Sequence, residues 1–332
     1  MSLNVLWCST TGADAAAQAS KGEAKTASGL EPELALRVET DPDRALEHRG
    51  WYEVLVDGSP SPKLLDARGL KHVIVPFVGI SDALRENLLA RPRLKLYNSH
   101  FNDAFVAQHA VALLLAIANR IVPADRGLRG GDWTQGGSST PESFFLEGKT
   151  ALLLGYGAIG QALEGRLRGL GLGLSALRRN PRQDPGMRTY GPDELHQALA
   201  GADVVIASLP ATPETRGMLD AAAFGAMRTG SILVNVGRGD VVEEAALFEA
   251  LRSRKLFGAG LDVWWTYPKK GERERTLPSS LPFHDLDNVV MSPHRANEVQ
   301  GWHEASFRDV AETLNAIARG ESRNRVEPSR GY

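Results

Sequence analysis

Short apolar runs separated by polar, helix-period segments recur along most of the chain. NVLW, ALRVE, YEVLV and KHVIVPF come first, then ALLLG, LSALR, VVIAS, SILVNV, GAGLDV and NVVMS. Such runs alternating with helical patterns predict parallel sheets covered by helices on both faces. The runs fall into two sets. The first ends near Asn98 and the second opens at GKTALLLGYG. Between them lie a long apolar helix, Ala104 to Arg120, and a polar, glycine-rich connection, RGLRGGDWTQGGSST. A connection of that composition is expected to be functional or to belong to a partner interface. A last helical pattern, Glu298 to Ile317, is long enough to return to the first set. The expected organisation is α/β, with a discontinuous outer domain (1–101 and 297–332), an inserted inner domain (102–296) and a cleft between them.

Composition narrows the classes. A chain of 332 residues has room for two domains with cores of their own. Hydrophobic residues make up 42% and charged residues 23%, with a net charge of -2, so no nucleic-acid or membrane partner is expected. AFVAQHAVALLLAIA is short for a membrane span and is interrupted by Gln108 and His109, which makes it a core helix. Cys8 is the only cysteine, which excludes an internal disulfide and predicts a small buried hydrophobe. The first residues lack the basic, apolar and small-residue order of a secretory signal, so a cytoplasmic location is expected. No metal site is expected.

ALLLGYGAIGQAL carries Gly155, Gly157 and Gly160 in the spacing G-x-G-x-x-G, directly after a strand and opening a helix. The first glycine permits a tight turn, the second lets a pyrophosphate approach the backbone, and the third lets the helix pack close to the strand. The amides of Ala158 and Ile159 then face the phosphates at the positive end of that helix. About twenty residues on, where an acid would bond a ribose 2′-hydroxyl, stands Arg178, followed by Arg179. Two guanidiniums pair with a 2′-phosphate, so NADP is favoured over NAD as the cofactor.

With the glycine turn in place, the downstream sequence resembles a known family. The block SLPATPETRGMLDAAAFGAMRTGSILVNVGRGDVVEEAALFEALRSRKLFGAGLDVW, followed by DNVVMSPHRAN, is similar to the D-isomer-specific 2-hydroxyacid dehydrogenases, and the likeness weakens before Lys71. The resemblance implies two doubly wound parallel-sheet domains, a Rossmann-type cofactor domain inserted into a flavodoxin-like substrate domain. It also implies hydride transfer between a small 2-oxo acid and a D-2-hydroxy acid, and a homodimer formed through the inserted domain.

NVGRGD places Arg238 at the carboxyl end of a strand, where open parallel sheets bind ligands. A guanidinium there bonds the carboxylate and the ketone of a 2-oxo acid and polarises the carbonyl, a role the resemblance assigns to Arg238. His294 in SPHRAN matches the family's general acid and base, for which imidazole is suited near neutral pH. For His48, His72, His100, His109, His196, His284 and His303 a structural role is expected. Asp262 matches the strand aspartate that holds the nicotinamide carboxamide. The acid that pairs with the family's histidine falls five residues later, and here that position is Tyr267. A tyrosine hydroxyl is expected to orient His294 by a hydrogen bond without offsetting imidazolium charge.

The missing acid leaves alternatives open. Formate dehydrogenases, relatives that also lack it, transfer hydride without needing an enzymic proton, and Asn102 matches their formate-binding asparagine. Dinucleotide-sensing corepressors that share the fold are a second alternative. The resemblance further places Phe77, Val78 and Gly79 at the substrate carboxylate, Leu209, Pro210 and Thr215 along adenosine and ribose, and Val236 and Gly237 near the nicotinamide. Of the adjacent Trp264 and Trp265, one is expected to line the pocket and the other to pack.

Overall fold

Apolar runs of three to six residues become strands wherever β-branched and leucine side chains can be buried on both faces of a sheet. The computed structural model describes residues 3–8, 17, 29–137, 140–181, 186–269 and 271–330. Its strands, in chain order, are β1 (Leu3–Trp7), β2 (Leu34–Val38), β3 (Val54–Val56), β4 (His72–Ile74), β5 (Lys95–Tyr97), β6 (Thr150–Leu154), β7 (Gly173–Leu177), β8 (Arg188–Tyr190), β9 (Val204–Ala207), β10 (Ser231–Asn235), β11 (Leu256–Leu261), β12 (Val289–Met291) and β13 (Arg325–Val326). The chain divides into two units, Met1–Asn102 with Val299–Tyr332, and Asp103–Glu298.

The first unit carries a sheet in the order β13-β5-β4-β3-β1-β2. Every pair in it is parallel except β13 with β5. Without β13 this is the 2-1-3-4-5 order of flavodoxin-like folds. One face is packed by Trp7, Val54, Ile74 and Tyr97 against Phe307, Val310 and Leu314 of the helix Trp302–Ala318. The other face carries Leu6, Leu55, Val73 and Leu96 over Tyr52, Leu65 and Leu88. Cys8 borders this second core and is only half-buried. Burial, with the nearby Asp57 and Glu39, pushes its thiol up to about 12 and keeps it protonated.

The second unit carries a fully parallel sheet in the order β12-β11-β10-β9-β6-β7-β8. Counted from β6 this is 3-2-1-4-5-6 with one further strand, the doubly wound order of dinucleotide-binding domains, and the strand sequence reverses between β6 and β9. The helix Asp103–Ala118 buries Val106, Ala110, Leu113, Leu114 and Ile117 on one face of this sheet. Leu219, Phe224, Leu247 and Leu251 cover the other face. No single helix among the described residues is long and apolar enough to cross a membrane.

Three strands, β5, β8 and β13, are absent from the sequence expectation. Each is only two or three residues long, opens on an arginine or lysine, and lacks the apolar run that marks the others. The glycine-rich connection also starts later than expected. Arg120 takes a left-handed backbone (φ 53) that ends the long helix, and a new helix, Ile121–Arg129, absorbs the segment RGLR. Residues 138–139 of that connection lie outside the described residues. The last helix begins at Trp302 rather than Glu298, because Gly301 enters it at φ 80.

Candidate active site

The carboxyl ends of the second unit's strands gather nearly every residue singled out by sequence. Gly155 follows β6, Arg178 follows β7, Leu209 lies beyond β9, Val236 to Arg238 follow β10, Asp262 follows β11 and His294 lies just beyond β12. One edge of one sheet therefore carries the glycine turn, both candidate reactive side chains and their neighbours. Val78 and Gly79 lie beyond β4 of the first unit, where Asn98 Nδ2 donates to the Val78 carbonyl at 3.0 Å. Asn102 closes that unit, and its side-chain oxygen is buried without a hydrogen-bond partner among the described residues.

The glycine turn fits a diphosphate. Gly155 adopts φ +93, and a Cβ at Gly160 would stand 2.6 Å from the Gly155 carbonyl oxygen, so side chains at these positions would break the turn or part helix from strand. Gly157 caps the helix Ala158–Gly169, which points its first amides, those of Ala158 and Ile159, away from the helix body. Arg178 sits over Tyr156 of the same turn, with its guanidinium carbon 5.7 Å from the ring centroid. Arg179 lies close enough to Glu214 that its charge helps to hold that carboxyl low, after hydrogen bonds from Thr212 and the Glu214 backbone. Thr215 braces its loop by donating to the Pro210 carbonyl and accepting from the Thr212 amide at 2.8 Å.

Asn235, which the sequence reading passed over, shapes the Arg238 turn. Its Oδ1 accepts from Gly237 N at 3.1 Å and its Nδ2 donates to the Arg238 carbonyl at 3.0 Å. A Cβ at Gly237 would stand 2.5 Å from the Leu209 carbonyl oxygen, so this turn lies directly on the one after β9. The Arg238 guanidinium folds back to donate to Gly237 O at 2.7 Å.

His294 is partly exposed to solvent and takes a left-handed backbone, φ 54. Its imidazole makes no side-chain hydrogen bond among the described residues. The surrounding protein withdraws water and pushes its pKa below the ordinary histidine value; Asp262 pulls it back up, and the Arg238 guanidinium pushes it down again.

The expected hydrogen bond from Tyr267 to His294 is replaced by a ring contact. The Tyr267 hydroxyl accepts from Trp264 N at 3.2 Å, closing a tight turn after β11, and the ring lies 5.5 Å from the imidazole at 54°. Burial raises the Tyr267 pKa, against the Trp264 amide and Arg238, so the phenol brings no negative charge to His294 at neutral pH. Both tryptophans pack, contrary to the expected division. Trp264 is buried and donates through Nε1 to Ser292 O at 2.8 Å, while Trp265 stacks on Phe283 and donates to Val242 O at 2.9 Å.

Asp262 is 1% exposed and its carboxylate faces the turn that carries His294. It accepts from Ser292 Oγ, from Arg295 N at 2.9 Å and from Ala296 N at 3.1 Å, with His109 Nε2 at 3.3 Å. Burial raises its pKa, but these donors together outweigh burial and hold the carboxyl below its usual range. Three of these contacts fall on Oδ1 and one on Oδ2, which keeps a further position free to accept. Among the described residues no group of His, Cys, Asp and Glu could hold a metal ion. A cavity of about 480 Å³ bordered by Asn119, Glu147 and Arg168 shares none of these residues.

The chain is similar to known proteins in sequence and in fold. The sequence profile described as "D-isomer specific 2-hydroxyacid dehydrogenase, NAD binding domain" matches residues 111–296. A glyoxylate reductase of Pyrococcus furiosus is 36% identical over 222 residues, covering 65% of this chain and 63% of that protein. A D-3-phosphoglycerate dehydrogenase of Mycobacterium leprae is 34% identical over 264 residues, covering 78% of this chain. The match spans 47% of the Mycobacterium protein, so the chain covers about half to two thirds of the length of these relatives. Among solved structures, a D-isomer specific 2-hydroxyacid dehydrogenase from Xanthobacter autotrophicus Py2, in complex with NADPH and MES, superposes with a TM-score of 0.76 at 26% identity, covering 100% of both chains.

Proposed function

The chain belongs to the D-isomer specific 2-hydroxyacid dehydrogenase family, a family of NAD(P)-dependent oxidoreductases, and on that premise we propose that it is an NADP-preferring reductase of a small 2-oxo acid such as glyoxylate or hydroxypyruvate. One observation carries the reading: Arg238 and His294 lie beyond the carboxyl ends of β10 and β12 in the same parallel sheet whose β6 is followed by the glycine turn. The turn from Gly155 to Gly160, with the amides of Ala158 and Ile159, would hold a nicotinamide dinucleotide, which would supply the hydride. Arg238 binds the substrate carboxylate and polarises the ketone, so that negative charge gathering on its oxygen meets a fixed cation. His294 gives that oxygen a proton as the C=O π bond opens, yielding the D-2-hydroxy acid, and recovers the proton in the oxidative direction. Neutral Tyr267 leaves His294 without the anionic partner of its relatives, so the imidazole gives up its proton readily.

Support for NADP comes from Arg178 and Arg179, which follow β7 where a carboxylate would repel a 2′-phosphate. The Michaelis constant for NADPH is expected to lie at least about tenfold below that for NADH, a difference of about 1.4 kcal/mol. Replacing both arginines by alanine is expected to remove the difference. Equal constants in the unaltered protein would reject the cofactor assignment.

Nicotinamide absorbance followed with a panel of 2-oxo acids, and with formate and NADP+, tests the reaction itself. Turnover of a 2-oxo acid is expected. Turnover of formate alone would favour a formate-type enzyme, and tight NADPH binding without turnover would favour a dinucleotide-sensing protein.

A pH prediction follows from the lowered His294 pKa. Reduction requires the protonated imidazole, so kcat/KM for reduction falls as pH rises through that depressed value. Tyr267→Glu places an anion beside the ring and is expected to raise the pKa, moving this alkaline limb up by about 1 unit or more. An unmoved limb would show that position 267 does not tune His294.

The homodimer belongs to the same proposal. Ile121, Leu128 and Trp133 of the second unit are exposed by 54%, 49% and 75%, an apolar group that a second copy would cover.

A further inference from the structure

We propose that His109 is a positioning residue for His294, acting through Ser292 and Asp262; the inference deepens the reading of His294 as proton donor and rests on it. His109 projects from the helix Asp103–Ala118, which packs against β10 and β11. Its Nε2 stands 2.9 Å from Ser292 Oγ and 3.3 Å from Asp262 Oδ1. Its place in an apolar helix predicts a structural role, and its partner Ser292 lies 183 positions away in sequence.

The direction of the hydrogen bonds can be deduced. Asp262 is ionised and only accepts, so the single proton of the Ser292 hydroxyl goes to Asp262 Oδ1. The Ser292 oxygen must then accept from His109, whose Nε2 carries a proton whether or not Nδ1 carries one too. A bare Nε2 would turn its lone pair toward the carboxylate 3.3 Å away and take the serine proton from it. The donors therefore run from His109 to Ser292 to Asp262.

The chain of contacts continues into the backbone. Asp262 accepts from Arg295 N and Ala296 N, the two amides that follow His294. Trp264 Nε1 holds the Ser292 carbonyl from the other side at 2.8 Å. The turn is thereby fixed before and after His294, which adopts φ 54. A non-glycine residue in that region is strained and persists where its surroundings over-determine it. Among the described residues, the His109 link is the one part of this clamp supplied from outside the β11 and β12 turns.

His109→Leu removes the donor, whereas His109→Gln keeps an N–H at similar reach. The leucine variant is expected to lose between about tenfold and a hundredfold in kcat through misplacement of His294. The KM for the 2-oxo acid should change by no more than about twofold, because Arg238 is untouched, and the glutamine variant should recover most of the loss. A readout independent of turnover is the long-range proton–nitrogen spectrum of labelled histidine. The unaltered protein should show His109 protonated at Nε2, and the His294 signals should move in the leucine variant and return in the glutamine variant. A bare Nε2 at His109, or a folded leucine variant with unaltered kcat and His294 signals, overturns the proposal. If His109→Leu does not fold, Ser292→Ala breaks the same link; displaced His294 signals support the clamp and unmoved ones overturn it. Should the unaltered protein reduce no 2-oxo acid, the dehydrogenase reading fails while the spectra still decide whether His109 holds the turn.

Discussion

His294→Asn lowers kcat for 2-oxo acid reduction by about 10²–10⁴-fold, the span that a positioned general acid contributes. Asparagine is chosen because the site demands a left-handed backbone, φ 54, which asparagine tolerates better than most residues. The turn over Asp262 should therefore survive, and the loss should report proton transfer rather than refolding. An amide donates a hydrogen bond to the forming alkoxide but hands over no proton, so the alkaline limb that belongs to His294 should vanish with the activity. The dissociation constant for NADPH should be unchanged, since the glycine turn follows β6 and the histidine follows β12. Steady-state rates across pH, with NADPH binding followed by fluorescence, check both halves.

Arg238→Ala is expected to lower kcat/KM by about 10³-fold, because one residue serves the carboxylate and the carbonyl oxygen together. Lysine at this position should recover only part of the loss, since an ammonium is a point charge where the substrate offers a planar pair of acceptors. The alanine variant carries a second signature. Arg238 is one of the groups that depress the His294 pKa, so its removal should move the alkaline limb of the residual activity to higher pH. A drop in activity with an unmoved limb would mean that the two side chains do not share a site. Titrating rate against pH in both variants separates these outcomes.

The second unit was the more legible part of the sequence. Its strands are long apolar runs, and the turn after β6 needs glycine at fixed places, because Gly155 is left-handed and Gly160 touches backbone. Those demands are local and show in spacing. The strands β5, β8 and β13 were not legible, because pairing and register with neighbours distant in sequence define them more than their own composition. Arg238 and His294 could be found because each sits in a distinctive block at a strand end. Tyr267 was located but its contact was misjudged: spacing places the residue near His294, while the turn that spends its hydroxyl on the Trp264 amide is a matter of backbone path. Asn235 and Ser292 are not marked by the sequence for a related reason, and His109 reads there only as structural. They hold backbone or other holders, Asn235 and Ser292 from within three residues of the group they shape and His109 from a distant helix. The alternation of Trp264 and Trp265 failed because Phe283 and the Ser292 and Val242 carbonyls draw both rings into packing.

The most direct test of the whole account is a crystal structure of the complex with NADP+ and oxamate, an unreactive analogue of a 2-oxo acid. The Arg238 guanidinium and the His294 imidazole should both lie within about 3.2 Å of the analogue's carbonyl oxygen, with the diphosphate on the turn from Gly155 to Gly160. Oxamate bound where only one of the two side chains reaches it, or a diphosphate seated away from that turn, would contradict the account.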